Sequence, residues 1–447
     1  MEYRKSSGLI LLLAALLQTS ALHAGPERAL TLKEAVTLSL SNNKNLKIAD
    51  AKTLEAKAKL QEARLRRYPD VSVSAAHMRV NQPNVDLKVP TGNAESGGGQ
   101  SPIAVDQLSY GMANASLPLF SGFRIREGIS SAHSLHKAAE LDARRDKEEI
   151  IQHTIEAFYD LYKAQAAVTL VHENLRQAEA RVHDFTKLEQ NGLLARNDLL
   201  KAQLQQSNIE LSLLDAENNL EIANFNMDLM LGLEPDTRLQ PDTSGLSNLS
   251  RVQNMSELEQ AALSQRPDYR SMVEQRAAAQ AGIKASQADY YPSLAVTGGY
   301  IAADIPGLLR VTNAVNVGLG LSYNLGSLYK NGAKVQQAKA REMQIEAGIE
   351  QLNEGIRVQV HKAYFNYLES VKKIDVYRKA VEQASENYRI VKNKHENALA
   401  TTTDLLDADV ARLQAHIQYE FAKADAMVAW HKLGEVSGTT SFAEGSN

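Results

Sequence analysis

The sequence predicts an α+β protein with long, coiled-coil-like helices and four β-strands that are suited to a membrane. Three observations carry this prediction: an internal repeat, two proline-free stretches long enough for very long helices, and one long run of alternating apolar and polar residues. The chain has 447 residues, a formal net charge of −4 and no cysteine. It therefore cannot form disulfides, and its mild acidity gives no electrostatic footprint for nucleic acid.

Residues 1–24 resemble a secretory signal peptide. Two basic residues precede an unbroken apolar run, Leu9–Leu17, and small residues follow, so cleavage is expected after Ala21 or Ala24. The apolar run is about half as long as the ~20 residues that a membrane-spanning helix needs. No later stretch of the sequence approaches that length without interruption, so we expect an exported chain without a transmembrane helix.

Several sequence landmarks occur twice in the same order, which indicates two copies of one structural unit. The copies are expected at residues 25–245 and 246–437, followed by a short tail at 438–447. The first copy carries an additional loop at Thr91–Pro102. The matched segments are LTLKEAVTLSLSNNKNL with MSELEQAALSQRPDY, ARLRRYPDVSVSA with ASQADYYPSLAVTG, AFYDLYKA with AYFNYLES, NGLLARNDLL with NALATTTDLL, and MLGL with KLGE, which aligns Gly232 with Gly434.

Each copy is expected to begin with a helical stretch that stops at a proline, followed by two strands, a very long helix, a turn and another helix. The opening stretches are predicted at about Thr31–Arg67 and Ser256–Tyr290, with breaks near Asn43 and Pro267.

The very long helices are predicted at Arg124–Gln190 and Lys330–Glu396, because no proline interrupts either stretch. Their apolar residues recur at steps of three and four, which is typical of a coiled-coil seam. The predicted seam residues are Val171, Leu175, Ala178, Val182 and Phe185 in the first helix, and Ile374, Tyr377, Val381, Ala384, Tyr388 and Val391 in the second.

The clearest strand begins at Val311 and alternates for longer than an ordinary strand, which is typical of a tilted membrane strand with lipid on one face and water on the other. Leu294, Val296 and Tyr300 continue this pattern in a second strand, and two strands with rougher alternation are predicted at Val71–Val80 and Gln107–Leu119. A half-buried sheet in a soluble domain is the alternative for any one strand. On the predicted lipid face lie Val311, Val315, Val317, Leu319, Leu321, Tyr323 and Leu325, with Asn313 as the single exception.

Four strands cannot close a barrel, which takes about eight or more. An open sheet edge is not viable in lipid, because its backbone groups find no water there. Several copies of the chain must therefore pool their strands, and the spacing alone does not choose between two, three and four copies.

The segments LTLKEAVTLSLSNNKNL, ALSQRPDY, SLPLFSGF and TDLLDADVARLQA resemble the TolC-like outer-membrane efflux protein family, and the match extends over nearly the whole mature chain. The resemblance implies a homotrimer with a twelve-stranded transmembrane β-barrel and a periplasmic α-barrel. It implies passive export of drugs, metal ions or secreted polypeptides, with a periplasmic adaptor, an inner-membrane pump and outer-membrane lipid as partners. It implies no catalytic residue, no cofactor and no bound metal.

The resemblance also implies a gate at the periplasmic end. The family's aspartate positions fall on Asp404 and Asp407, with Asp198 at the equivalent place in the first copy, and carboxylates from three copies would form a cation-selective constriction. Helix capping is the alternative for Asp198 and Asp404, because both follow a turn. Family members often carry a basic residue four positions before the first aspartate. That position here is Ala400, and Arg196 could substitute for it.

The turns NGLLARND and NALATTTD resemble the family's adaptor-docking tips. The resemblance carries that role to Gly192, Leu193, Leu194, Ala398, Leu399 and Ala400. A soluble periplasmic coiled-coil adaptor or scaffold is the competing interpretation, but such a protein normally has one hairpin, many short strands and an anchor. An enzyme is not indicated, since the sequence offers no convergent acid, base or metal cluster. His133 and His136 share a helix face but lack a third ligand.

Overall fold

A computed structural model describes five parts of the chain: residues 28–81, 105–235, 237–242, 254–306 and 308–439. The predicted signal peptide, the additional loop at Thr91–Pro102 and most of the C-terminal tail lie outside these residues. By its contacts the chain divides into two compact units. Unit 1 comprises Met1–Ile48, Arg144–Arg266 and Glu354–Asn447, and unit 2 comprises Ala49–Ala143 and Pro267–Asn353.

Most described residues lie in helices, and the strands fall into one four-stranded and one two-stranded sheet. In chain order the elements are β1 (Arg28–Leu30), α1 (Leu32–Asn42), α2 (Lys44–Leu65), β2 (Asp70–Arg79), β3 (Gln107–Ser121), α3 (Arg124–Gln190), α4 (Arg196–Leu231), β4 (Leu239–Pro241), α5 (Met255–Gln265), α6 (Pro267–Gln287), β5 (Ser293–Ile305), β6 (Leu309–Ser322), α7 (Ser327–Glu396) and α8 (Thr402–Ser437).

The helix boundaries confirm the sequence prediction closely. Helix α3 has the predicted bounds. Helix α7 begins at Ser327, three residues before the predicted start at Lys330, and ends at Glu396 as predicted. The predicted breaks near Asn43 and Pro267 are also confirmed, because Asn43 and Arg266 adopt extended backbone conformations between consecutive helices. A residue that precedes proline is disfavoured in the helical region, which explains the break at Arg266.

The core of unit 1 forms where α3, α4 and α8 meet the first helix and the small parallel sheet of β1 and β4. Its largest fully buried side chains include Leu30, Ile151, Ile155, Leu161 and Met227. On α3 the buried residues Ile151, Ile155, Phe158 and Tyr162 recur at steps of three and four, so the helix buries one stripe and exposes the rest.

The coiled-coil seam continues along unit 1 as predicted. Val171, Leu175 and Ala178 pack with residues of α4 and α8 in one cluster. Val182 and Phe185 pack with Tyr388 and Val391 of α7 in another. The seam residues nearest the turns of both helical hairpins therefore lie in shared clusters.

Glycines end α4 and α8 at corresponding places. Gly232 and Gly438 adopt left-handed backbone conformations, with φ of 69° and 71°, and each closes its helix. A Cβ at Gly232 would lie 2.8 Å from the Cβ of Asn42, so this position has little room for a side chain. The predicted alignment of Gly232 with Gly434 is wrong by one helical turn, because Gly434 lies inside α8.

Unit 2 contains the four-stranded antiparallel sheet, with the order β2-β3-β5-β6. Strands β2 and β6 are its edges, and each has a neighbour on one side only. The apolar face of β6 is well exposed: Val315, Val317, Leu319 and Leu321 are each at least 71% accessible.

A β-bulge corrects the predicted strand face near the start of β6. Tyr300 lies opposite Val315 and Ala303 opposite Val311, so β6 holds one more residue than β5 over this stretch. Asn313 takes the left-handed conformation, with φ of 57°. Cross-strand partners share a face, so the extra residue puts Val311 on the face opposite Val315. The predicted placing of Val311 with the lipid-facing residues is therefore wrong.

Among the described residues, none of the helices combines the length and the apolar composition that crossing a membrane requires.

The opposite faces of β6 can be tested with one substitution on each. We expect Leu319→Arg to impair membrane insertion, because a charged side chain that faces lipid near mid-membrane costs about 2–4 kcal/mol. Gly318→Arg is the matched control, since Gly318 is the adjacent residue on the other face and an added Cβ there meets no atom within 4 Å. The yield of folded, membrane-inserted protein measures both effects. Equal tolerance of both substitutions would show that this part of β6 does not lie in a membrane.

Candidate functional site

The turns that end α3 and α7 have the same backbone design. Gly192 and Ala398 are left-handed, with φ of 72° and 61°. The N–H of Leu193 donates to the carbonyl of Leu188 at 2.8 Å, and the N–H of Leu399 donates to the carbonyl of Lys394 at 2.7 Å. Each turn is therefore a Schellman motif, whose hydrogen bonds satisfy carbonyl groups at the helix end while the chain reverses direction.

Each turn presents one leucine to solvent. Leu193 is 74% exposed and Leu399 is 77% exposed, whereas Leu194 and Ala400 are half-buried. Leu194 packs against the cluster that contains Phe185. The six predicted docking residues therefore divide into an exposed part, formed by the two leucines and the left-handed residues, and a part that anchors the turn.

Asp404 forms a capping box at the start of α8. Its N–H donates to the hydroxyl oxygen of Thr401 at 3.1 Å, and its carboxylate accepts from the N–H of Thr401 at 2.9 Å. Hydrogen bonds from the Thr401 side chain and backbone lower the pKa of Asp404. The capping explanation thus accounts for the position of Asp404, with Thr401 as the N-cap residue and Asp404 three residues into the motif.

Asp198 has a different role from Asp404. Ala195 is the N-cap residue of α4, and no side-chain capping hydrogen bond forms there. The Asp198 carboxylate instead lies 3.6 Å from the ammonium of Lys201. That ammonium also donates to the hydroxyl of Thr403 at 3.1 Å, so it links the first helical hairpin to the start of α8.

Asp407 is the uncommitted carboxylate of the predicted gate. It is exposed, and its side chain makes no hydrogen bond or ion pair with the part of the chain that the structure describes. It lies one turn beyond Asp404 on the same exposed side of α8. A carboxylate with no structural duty is available for ions that pass nearby.

Among the described residues, no hydrogen bond or ion pair joins the side chain of Arg196 to the second hairpin. Its guanidinium lies 3.5 Å from Glu189 at the end of α3, and the side chain is 65% exposed. In this chain, Arg196 therefore closes an ion pair within its own turn.

The sequence analysis missed a buried carboxylate, Asp409, that lies two residues after Asp407. Its carboxylate accepts from Arg181 of α3 at 2.7 Å and from Arg412 at 2.8 Å, and its side chain is only 2% exposed. The amide of Asn174 adds a donor at 3.3 Å. The signal was present as the third aspartate of TDLLDADVARL, at a position where the helical period places the side chain on the buried face.

An aromatic side chain extends the Asp409 cluster to α7. The guanidinium carbon of Arg412 lies 3.9 Å from the ring centroid of Tyr388, close enough for a cation–π contact. Burial by itself lowers the pKa of Arg181, but the charge and hydrogen bond of Asp409 outweigh it and raise that pKa. The cluster thus joins α3, α7 and α8 a few turns from the hairpin tips.

The described residues contain no group of three or more His, Asp or Glu side chains arranged to hold a metal ion. His136 lies 3.7 Å from Glu140 on the same helix.

The Asp409 cluster predicts a large difference between two nearby aspartates. We expect Asp409→Ala to destabilise unit 1 by about 3–5 kcal/mol, because it leaves two arginines with an unpaired buried charge. Asp407→Ala should change stability by no more than about 0.5 kcal/mol, since Asp407 is exposed. Thermal unfolding followed by helical circular dichroism in detergent measures both variants. Similar midpoints for the two would contradict the assigned role of Asp409.

Comparison with known proteins bears on this geometry. A family model described as outer membrane efflux protein matches residues 35–233 and 258–439. The outer membrane efflux protein BepC of Brucella suis is 22% identical over 375 residues, which cover 82% of this chain and 81% of BepC. The cation efflux system protein CusC of Escherichia coli is 23% identical over 401 residues, with coverage of 85% and 83%.

A solved structure shows the same fold. The outer membrane protein VceC of Vibrio cholerae superposes with a TM-score of 0.75 at 18% identity, over 92% of this chain and 96% of VceC. The predicted fold class, the outer-membrane location and the absence of enzymatic function agree with these matches. The chain belongs to the outer membrane efflux protein family, whose members are passive outer-membrane channels.

Proposed function

We propose that three copies of this chain form one duct, which carries substrates from a periplasmic adaptor and an inner-membrane pump to the outside. The observation that carries the proposal is the pair of unpaired sheet edges, β2 and β6. If each copy contributes four strands, three copies supply the twelve that the family resemblance implies. The edge strand β6 of one copy would then pair with β2 of the next.

Two exposed apolar stripes in unit 1 support side-by-side packing of copies. One stripe follows α4 at helical spacing and consists of Leu200, Leu204, Leu211, Leu214, Ile222, Phe225 and Leu229, each at least 45% exposed. The other follows α7 and consists of Val358, Phe365, Leu368, Val376 and Ile390, each at least 40% exposed. Exposed seams of this length are typical of helices that pack against a partner.

The periplasmic constriction is proposed to contain Asp404 and Asp407 of each copy, with Asp198 nearby. The capping box holds Asp404 in one orientation, and Asp407 is free to meet a passing ion. Rings of carboxylates in a narrow, partly desolvated passage attract cations and repel anions. Lys201 neutralises part of the charge of Asp198, so Asp407 is the strongest candidate for the selective group.

The hairpin tips are proposed to dock the adaptor. Leu193 and Leu399 are exposed apolar side chains on rigid turns, which suits an interface with another helical hairpin. Gly192 and Ala398 allow the turns that present them, and Leu194 and Ala400 support the turns from behind. The relative CusC is named as part of a cation efflux system, which supports a pump partner for this chain as well.

The two-copy organisation belongs to the same proposal. The boundaries at 25–245 and 246–437, with residues 1–24 as a signal peptide and 438–447 as a tail, assign one helical hairpin and one pair of strands to each copy. The matched turns and the glycine caps support this assignment. Family membership gives no support to the alternative of a soluble adaptor or scaffold.

The carboxylate gate is tested by single-channel recording in a planar bilayer. We expect Asp407→Ala to lower the preference for cations and to weaken block by multivalent cations added on the periplasmic side, because the ring loses three charges in a trimer. Asp215→Ala is the matched control, since Asp215 is an exposed carboxylate of α4 that also makes no hydrogen bond or ion pair with the described residues.

Asp407 makes no hydrogen bond or ion pair with the described residues, so a change in selectivity at that position reports on the pore itself. If Asp407→Ala channels retain the ion selectivity and cation block of the unmodified protein, the aspartate ring does not operate here.

A further inference from the structure

A pocket of about 430 Å³ opens in unit 2 where β3 leads into α3. Two kinds of side chain line it. Arg67 and Arg126 supply guanidinium groups, and Leu119, Phe120 and Ile129 supply apolar surface. A cavity that is cationic on one side and apolar on the other suits an amphiphilic ligand.

The apolar wall of the pocket continues the apolar face of the sheet. Phe120 lies opposite Leu294, and Leu294 lies opposite Leu321. Cross-strand partners share a face, so Phe120 lies on the same face as Leu321, which is 73% exposed. A long apolar chain bound in the pocket would therefore extend directly onto the lipid-facing surface.

A tight turn joins β3 to α3, which carries Arg126. Gly122 and Phe123 are both left-handed, with φ of 61° and 69°. A Cβ at Gly122 would lie 2.4 Å from the carbonyl oxygen of Ala288, so the turn has no room to shift toward that side. The left-handed conformation is uncommon for a bulky residue such as Phe123, which the surrounding contacts must hold in place.

Two exposed aromatic rings lie at the same end of the sheet, which is typical of the boundary between membrane and water. Phe123 is 51% exposed and Tyr291 is 53% exposed, and their ring centroids lie 6.3 Å apart in an edge-to-face arrangement. Aromatic girdles of this kind flank the apolar band of membrane barrels, where ring and headgroup meet.

The two guanidinium groups of the pocket retain capacity for an anion. Arg126 is 78% exposed and has Glu127 at 3.6 Å as an ion-pair partner. The guanidinium of Arg67 makes no hydrogen bond or ion pair with the described residues. Nearby, Arg124 and Lys334 share the single carboxylate of Asp289, so the surroundings add positive charge.

We propose that this pocket binds a phospholipid of the periplasmic leaflet, with its phosphate between Arg67 and Arg126 and its acyl chains along the apolar face of the sheet. Arginine binds phosphate through paired, charge-assisted hydrogen bonds, which favours a phosphate-bearing lipid over an uncharged amphiphile. The site would fix the depth of the barrel in the membrane. The inference rests on the outer-membrane placement of the protein and not on the proposed gate or docking tips.

Native mass spectrometry of the detergent-purified oligomer, titrated with phosphatidylglycerol, tests the site. We expect Arg67→Gln/Arg126→Gln to weaken phosphatidylglycerol binding by at least about tenfold, because charge-assisted hydrogen bonds to the phosphate are lost. Arg67→Lys/Arg126→Lys should bind with intermediate affinity, since it retains charge without the planar fork. Arg378→Gln/Arg389→Gln removes the same charge from exposed positions on α7 and should bind like the unmodified protein.

Two further arms separate the alternatives. Inorganic phosphate at millimolar concentration should not displace the lipid, and displacement would show a small-anion site instead. If the Gln variant dissociates the oligomer without changing the number of lipids bound per chain, the pocket is a contact between copies, and the proposal is wrong.

Equal phosphatidylglycerol binding by the Gln variant and the unmodified protein also overturns the lipid site. If the unmodified protein still conducts in bilayers in that case, the proposed duct is unaffected. If the unmodified protein does not insert into bilayers at all, that result contradicts the proposed duct and not the lipid site alone.

Discussion

The two unpaired edges of the four-stranded sheet are the constraint on which the rest of the structure depends. Backbone N–H and C=O groups of β2 and β6 have partners on one side only, and the adjacent apolar face of β6 is suited to lipid. Lipid cannot satisfy those groups, so the proposed placing of the sheet in a membrane requires strands from other copies. The exposed apolar stripes of α4 and α7 in unit 1 support the same proposal, because exposed seams of this kind are typical of helices that pack against a partner.

Much of the fold could be predicted because its signals are local and repeated. Proline positions and heptad spacing located α3 with its observed bounds, and alternation located the strands of the sheet. Two features were not predicted, because each shifts the position of residues along a strand or helix by only a few places. The bulge at Asn313 reverses the face of Val311, and the helix α8 continues past Gly434 to Gly438. Neither feature disturbs the composition of the segment, so pattern matching has no means to detect it.

The structure separates residues that the predicted site groups together. The turns at Gly192 and Ala398 have the shared backbone design that their aligned sequences suggested. The aspartates nearby divide into roles that the sequence does not separate: Asp404 caps a helix, Asp407 is free, and Asp409 is buried between arginines. Burial depends on which neighbouring helix lies against each residue, and one sequence does not report that.

The mass of the purified assembly tests the account most directly, because shared strands are its central claim. Light scattering in detergent, corrected for the bound detergent, measures that mass without reference to the gate or to any partner. The account predicts a single species of three chains that resists dilution, since separation would expose two sheet edges per copy. A stable, monodisperse monomer that keeps its sheet would contradict it.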